Sequence, residues 1–153
     1  MVQVCVAFGA NLGEAQATVL QAIQDVGALA TSQLVKASSL YASAPHESTG
    51  SEFVNAVAMY DTELPPLALL DALQNLEKTA GRERPYLNAP RTLDLDIIFY
   101  GDVALDSPRL TLPHPRWQKR AFVLVPLAEI SPDKVSPALL SSVANQPIRR
   151  ISK

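Results

Sequence analysis

Cysteine is nearly missing from this chain of 153 residues: Cys5 stands alone, so an intramolecular disulfide and a cysteine-built zinc site are both excluded. It lies in the apolar-rich run Val2 to Phe8, where a buried, inert thiol is expected. Charge of one dominant sign is lacking too. Thirteen basic and fifteen acidic residues leave a net charge of −2, too mild a field to capture nucleic acid or an anionic membrane. No apolar run reaches the roughly 18 residues of a membrane-spanning helix, and the opening Met1-Val2-Gln3-Val4-Cys5-Val6 carries no basic leader segment. A reducing, cytoplasmic setting is expected, with neither secretion nor membrane insertion. Familiar signatures are absent as well. Gly9-Ala10-Asn11-Leu12-Gly13 lacks the Lys-Ser/Thr ending of a phosphate loop and is no Gly-x-Gly-x-x-Gly. Neither a Gly-x-Ser-x-Gly elbow nor a His-Glu-x-x-His pair occurs. There is no internal repeat, and the length suits a single domain over 1–153 that buries a core without disulfides or structural metal.

Hydrophobic periodicity supplies the elements. Val2, Val4, Val6 and Phe8 alternate with Gln3, Cys5 and Ala7, predicting a strand over 2–8. Val19, Ile23, Val26 and Ala30 recur at helical spacing, giving an amphipathic helix over 14–30. Leu34 to Tyr41 and Phe53 to Asp61 have the β-branched and aromatic content of strands. The polar linker Ser43 to Glu52 separates them. Pro65 and Pro66 open a helix over 65–80, striped by Leu69, Leu70, Leu73 and Leu76 and stopped at Gly81. A strand over 92–100 turns at Gly101-Asp102, a helix covers Arg120 to Ile130 despite Pro126, and Ser136-Pro137 caps a last helix over 137–144. The order strand, helix, strand, strand, helix, strand is the split βαβ pattern: an α+β, ferredoxin-like sandwich. An antiparallel sheet with both helices on one face, and extra helices at the C-terminus, is the expected architecture.

The chemistry concentrates in Arg91-Thr92-Leu93-Asp94-Leu95-Asp96-Ile97. On a strand Asp94 and Asp96 share one face, roughly 6 to 7 Å apart at Cα, while Leu93, Leu95 and Ile97 point to the other. Such a pair without a cation would repel. Between them two Mg²⁺ ions would find hard oxygen ligands and would stabilise charge in a phosphoryl-type transfer. A bare Asp-x-Asp is more often the mark of an edge strand with solvated acids. The neighbours shift that balance. Arg82, Arg84 and Arg91 crowd the approach to the acidic strand, and guanidinium groups grip phosphate oxygens bidentately. Downstream, Thr111-Leu112-Pro113-His114-Pro115-Arg116 holds a histidine between prolines, followed by Arg120 and Phe122, and a neutral imidazole can also bond a phosphate oxygen.

Taken together, these residues resemble the signature of the 6-hydroxymethyl-7,8-dihydropterin pyrophosphokinases of folate biosynthesis. Pro90 to Ile97 carries the resemblance most strongly. Gly9 to Gly13, Ser38-Ser39 with Tyr41, Phe53-Val54-Asn55-Ala56, Gln74 with Glu77, Gly81-Arg82-x-Arg84 and Leu112-Pro113-His114 agree in order and spacing along nearly the whole chain. The resemblance implies transfer of the terminal diphosphoryl group of ATP to the pterin hydroxymethyl oxygen, releasing AMP. It implies that Asp94 and Asp96 hold two Mg²⁺ ions and that Arg82 and Arg91 neutralise charge, assisted by Arg84. Gln74, Ile97, Arg109, Thr111, His114 and Arg120 would line the ATP site, some through backbone groups. The pterin would stack between Phe53 and Phe122, with Asn55 reading its polar edge beside the Ser43-Ala44 backbone. ATP and the pterin are then the partners, with no nucleic acid and a monomeric chain.

The chain also departs from the bacterial pattern. Its loop 82–91 is shorter, carries Asn88-Ala89 where Trp-Gly is common, and has no lysine after Arg84; Ala44 and His46 differ as well. Two other classes stay open on sequence alone. A two-metal phosphohydrolase or nuclease would use the same acids but usually needs more ligands, and a non-catalytic ferredoxin-like module would use none of them.

Overall fold

The computed structural model describes residues 1–11, 14–43, 52–81 and 93–151. Its centre is an antiparallel sheet built from β1 (Val2–Ala10), β2 (Ser32–Ala37), β3 (Tyr41–Ser43), β4 (Phe53–Thr62), β5 (Asp94–Tyr100) and β8 (Ile148–Arg150). Along it the order is β5, β1, β4, β3, β8, and β2 pairs with the second half of β4. β4 is thus the longest strand and sits centrally.

Helices α1 (Ala15–Gly27) and α2 (Pro66–Gly81) cover one face. Alternation puts Val4, Val6, Phe8 and Ala10 of β1 on that face, with Ala56, Ala58 and Tyr60 of β4 and Leu95 and Ile97 of β5 packed among them. Each fully buried aliphatic side chain there contributes about 1.5–3 kcal/mol. Two buried tyrosines bridge the layers by their hydroxyls, Tyr60 donating to the Ile23 carbonyl at 2.8 Å and Tyr100 to the Leu64 carbonyl at 2.6 Å. Both thereby avoid the cost of a buried unpaired O–H.

The opposite face is covered by α3 (Ala121–Ile130), whose Val123, Leu124 and Leu127 pack on Cys5, Ala7, Val57, Met59, Ile98 and Phe99. The C-terminal addition therefore makes a third layer rather than an appendage. Cys5 is fully buried, and burial pushes its thiol well above the ordinary range. A register shift opposite Cys5/Val6 lets Ile98 and Phe99 both face α3, after which Tyr100 returns to the α1/α2 side. Gly101 then turns the chain at φ +52°, where an added Cβ would meet Val2 Cγ1 at 2.9 Å.

The elements differ from the sequence-based expectations at several places. The strand expected over 34–41 is two strands, because Ser38 interrupts the ladder: its N–H donates to the Val57 carbonyl while its Oγ accepts from the Val57 N–H at 3.0 Å. α1 ends at Gly27, three residues earlier than expected, with the Ala28 N–H closing the last turn on the Gln24 carbonyl. The final helix α4 (Pro137–Ser142) is also shorter, and Ser136 Oγ caps it by accepting from the Leu139 N–H. After α4 the chain adds β8, which pairs with β3. Residues 105–106 and 111–112 form the two-stranded ladder of β6 (Leu105–Asp106) and β7 (Thr111–Leu112). Among the described residues no helix is long and apolar enough to cross a membrane.

Candidate active site

Strand register builds the site. On the sheet face turned toward α3, Asn55 of β4, Gly9 of β1 and Asp94 of β5 stand in one row, and Val57, Ala7 and Asp96 in the next. β1, between β4 and β5, offers only Gly9 and Ala7 here, so the row dips instead of filling. α3 begins at Ala121 and leaves this end of the sheet uncovered, and the result is a cavity of about 620 Å³. Asp94 and Asp96 of β5 line it on one side and Ser43, Phe53 and Asn55 of β3 and β4 on the other, and Lys119 to Phe122 complete the lining.

The polar groups are held from several directions. Asn55 is buried, 4% exposed, and its Oδ1 accepts from Ser43 Oγ at 2.5 Å. That bond orients the amide so that Nδ2 lies over Gly9, 3.4 Å from where a Gly9 Cβ would stand. Across the cavity, Glu77 of α2 accepts the Leu95 N–H on Oε2 at 2.8 Å, pinning the strand between the two aspartates. Asp94 is exposed and Asp96 half-buried. The Arg120 guanidinium stands 3.9 Å from Asp96 Oδ2 and 5.3 Å from the Phe122 ring centroid, an ion pair and a cation–π contact made by one side chain.

His114 stands behind this group. Its backbone N–H donates to the Ile98 carbonyl at 2.7 Å, two residues beyond Asp96, and its Nδ1 accepts from the Arg116 backbone N–H at 3.1 Å. Burial lowers the His114 pKa; Asp96 opposes that shift, and Arg120 and Arg116 reinforce it. With Nδ1 accepting a hydrogen bond, the proton of the neutral ring sits on Nε2.

The expected ATP-lining residues are distributed unevenly. Arg120 lines the cavity. Arg109 lies outside that lining and bonds Asp71 Oδ1 at 2.5 Å and Gln74 Oε1 at 3.3 Å, which joins Gln74 and Arg109 on the flank of α2. Thr111 sits in β7, paired with Asp106. The Ile97 side chain is buried in the α1/α2 core, so only its backbone is available to a ligand. Arg82, Arg84, Arg91 and Ala44 lie outside the described residues.

Lys119, Gln146 and Pro147 line the cavity without having been singled out by the sequence, and Glu77 was visible only as a landmark. A cation adjacent to Arg120 was a readable signal for Lys119. Gln146 has none, because the return of the C-terminal segment places it.

The described lining carries three carboxylates, Glu77, Asp94 and Asp96, against the two cations Lys119 and Arg120. No cluster of three or more His, Cys, Asp or Glu among the described residues forms a ready cation cage. That donor set fits Mg²⁺, which keeps waters and is completed by substrate phosphates around one or two protein carboxylates. Closed zinc and calcium cages are a poor match for it.

The sequence pattern of the 7,8-dihydro-6-hydroxymethylpterin-pyrophosphokinase (HPPK) family matches residues 5–132. The chain belongs to this family. It is 48% identical over 132 residues to the 2-amino-4-hydroxy-6-hydroxymethyldihydropteridine pyrophosphokinase of Pseudomonas aeruginosa, covering 86% of this chain and 82% of that one. The enzyme of the same name from Haemophilus influenzae is 42% identical over 138 residues, covering 90% and 86%. Among solved structures, Plasmodium falciparum HPPK-DHPS superposes with a TM-score of 0.70 at 13% identity, over 95% of this chain and 44% of that one. An HPPK-DHPS solved in complex with substrates gives a TM-score of 0.66 at 13% identity, over 94% and 43%. At that identity the solved structures speak for the fold, and this chain spans less than half of either one. The ferredoxin-like architecture expected from the element order is the architecture of these structural neighbours.

Proposed function

We propose that the cavity is the transfer site of a Mg²⁺-dependent pyrophosphokinase. There the terminal diphosphoryl group of ATP passes to the hydroxymethyl oxygen of 6-hydroxymethyl-7,8-dihydropterin, yielding AMP and the pterin diphosphate for folate biosynthesis. The observation that carries the reading is that Asp94 and Asp96 share one cavity with Phe53, Asn55 and Phe122. Metal-type acids and a pterin-type slot thus meet across two strand spacings.

Each residue then has a task. Phe53 and Phe122 offer aromatic faces to a planar heterocycle. Asn55, locked by Ser43, presents an amide whose donors and acceptor match the edge of a pterin ring. Asp94 and Asp96 would hold two Mg²⁺ ions, which when bound supply neutralisation of the phosphate oxygens. Arg120 brings positive charge to the Asp96 side of the cavity, and Arg82 and Arg91, assisted by Arg84, add more from the segment entering β5. Gln74, Arg109, Thr111, His114 and the Ile97 backbone take the nucleotide side. The rate then comes mainly from positioning and charge neutralisation, as is usual in phosphoryl transfer. We take residues 1–153 to work as one domain.

Incubation with ATP and Mg²⁺, with and without the pterin, tests this. AMP is expected only when the acceptor is present, and acceptor-independent AMP would instead favour a phosphohydrolase. Asp96→Ala is expected to cut AMP release by on the order of a hundredfold or more while the fold persists. Near-normal release by that variant would contradict the assignment.

A further inference from the structure

Gln146 lies in the turn between α4 and β8, beyond the residues matched by the family pattern, yet it lines the cavity. Its Oε1 accepts from the Ala121 N–H at 2.9 Å and its Nε2 donates to the Lys119 carbonyl at 2.8 Å. One amide therefore clasps the backbone on both sides of Arg120. Arg120 occupies the N-cap position of α3 with no side-chain cap bond of its own, and the Ala121 N–H is one of the donors a helix start leaves without an intrahelical acceptor. The mount is firm. The Gln146 N–H donates to the Val143 carbonyl at 2.9 Å, Val143 is buried under α3, and the following residues are paired into the sheet as β8.

We propose that Gln146 is a positioning residue of the transfer reaction, acting through Arg120. By fixing the peptide planes that flank Arg120, it sets where the guanidinium stands against Asp96 and Phe122, and so where its charge meets the reacting phosphates. The inference rests on the reading of the cavity given above.

A double-mutant cycle in the full chain separates positioning from general stability. Gln146→Ala is expected to lower kcat/KM about tenfold, the scale of losing two partly buried hydrogen bonds. Arg120→Ala is expected to lower it more, and the double variant should match Arg120→Ala within about twofold. Gln146→Glu keeps the acceptor for the Ala121 N–H and loses the donor to Lys119, so an intermediate loss is expected; it replaces Gln146→Ala in the cycle should the alanine variant fail to fold. Multiplying losses, or an unchanged Gln146 variant, would overturn the positioning role while leaving the cavity assignment intact. Full activity of Arg120→Ala would instead contradict the placing of Arg120 in the transfer site, and the positioning role with it.

Discussion

Gly9 shows how much of the site depends on a side chain that is not there. It stands between Asn55 and Asp94 in the sheet, and a Cβ at this position would approach Asn55 Nδ2 at 3.4 Å, ordinary contact for a methyl group but not for anything larger. Gly9→Ala should therefore fold and turn over, whereas the branched side chain of Gly9→Val would occupy the floor of the cavity. A loss of pterin affinity on the order of a hundredfold in Gly9→Val, with a folded circular dichroism spectrum, is expected from overpacking a preformed pocket; unchanged affinity by titration calorimetry would show that the pterin does not rest there. At this scale the sequence was most legible where the signal is local. Alternation alone assigns Asp94 and Asp96 to one face and Leu95 to the other, and the structure agrees. It was silent on Gln146, whose partners are 25 and 27 residues away.

Among the elements, α3 is tied to the sheet edge by one carboxylate. Glu129 accepts from the Ser39 N–H at 2.9 Å, from Ser39 Oγ at 3.0 Å and from the Tyr41 hydroxyl at 2.7 Å, with Arg150 of β8 at 4.0 Å. Burial alone would raise its pKa, but the bonds from Tyr41 and Ser39, with Arg150, hold it below the ordinary carboxylate value. Burial and the same bond push Tyr41 up to about 12. A depressed carboxyl stabilises the fold above its unfolded pKa of about 4.3 and loses that contribution as pH falls through the folded value. Thermal midpoints followed from pH 7 downward should fall more steeply below about pH 5 in the native chain than in Glu129→Gln; parallel curves would show that the Glu129 contacts do not stabilise the fold. This contact also explains why an apparently continuous strand over 34–41 breaks. Ser38 replaces a ladder bond with its own hydroxyl and so frees the Ser39 N–H for Glu129, a competition that propensity cannot register. β8 escaped notice for a related reason: three residues, Ile148–Arg150, are too few to show a period, and pairing with β3 alone makes them a strand.

For the whole molecule, the division of the two sheet faces is what creates a place for chemistry. α1 and α2 close one face, while α3 covers only part of the other and leaves the Asn55, Gly9 and Asp94 row open beside its first turn. The element order announced the first packing, because two helices alternating with strands have to return to the same side. It said less about the second, since the side on which C-terminal helices settle depends on the apolar patch formed by Cys5, Val57, Met59 and Phe99 after the sheet exists. The most direct measurement is a crystal structure of the chain with Mg²⁺, a non-hydrolysable ATP analogue and the pterin. The pterin is expected between Phe53 and Phe122 with its polar edge on Asn55, and metal density against both Asp94 and Asp96. A pterin bound outside this cavity, or metal density remote from the two aspartates, would contradict it.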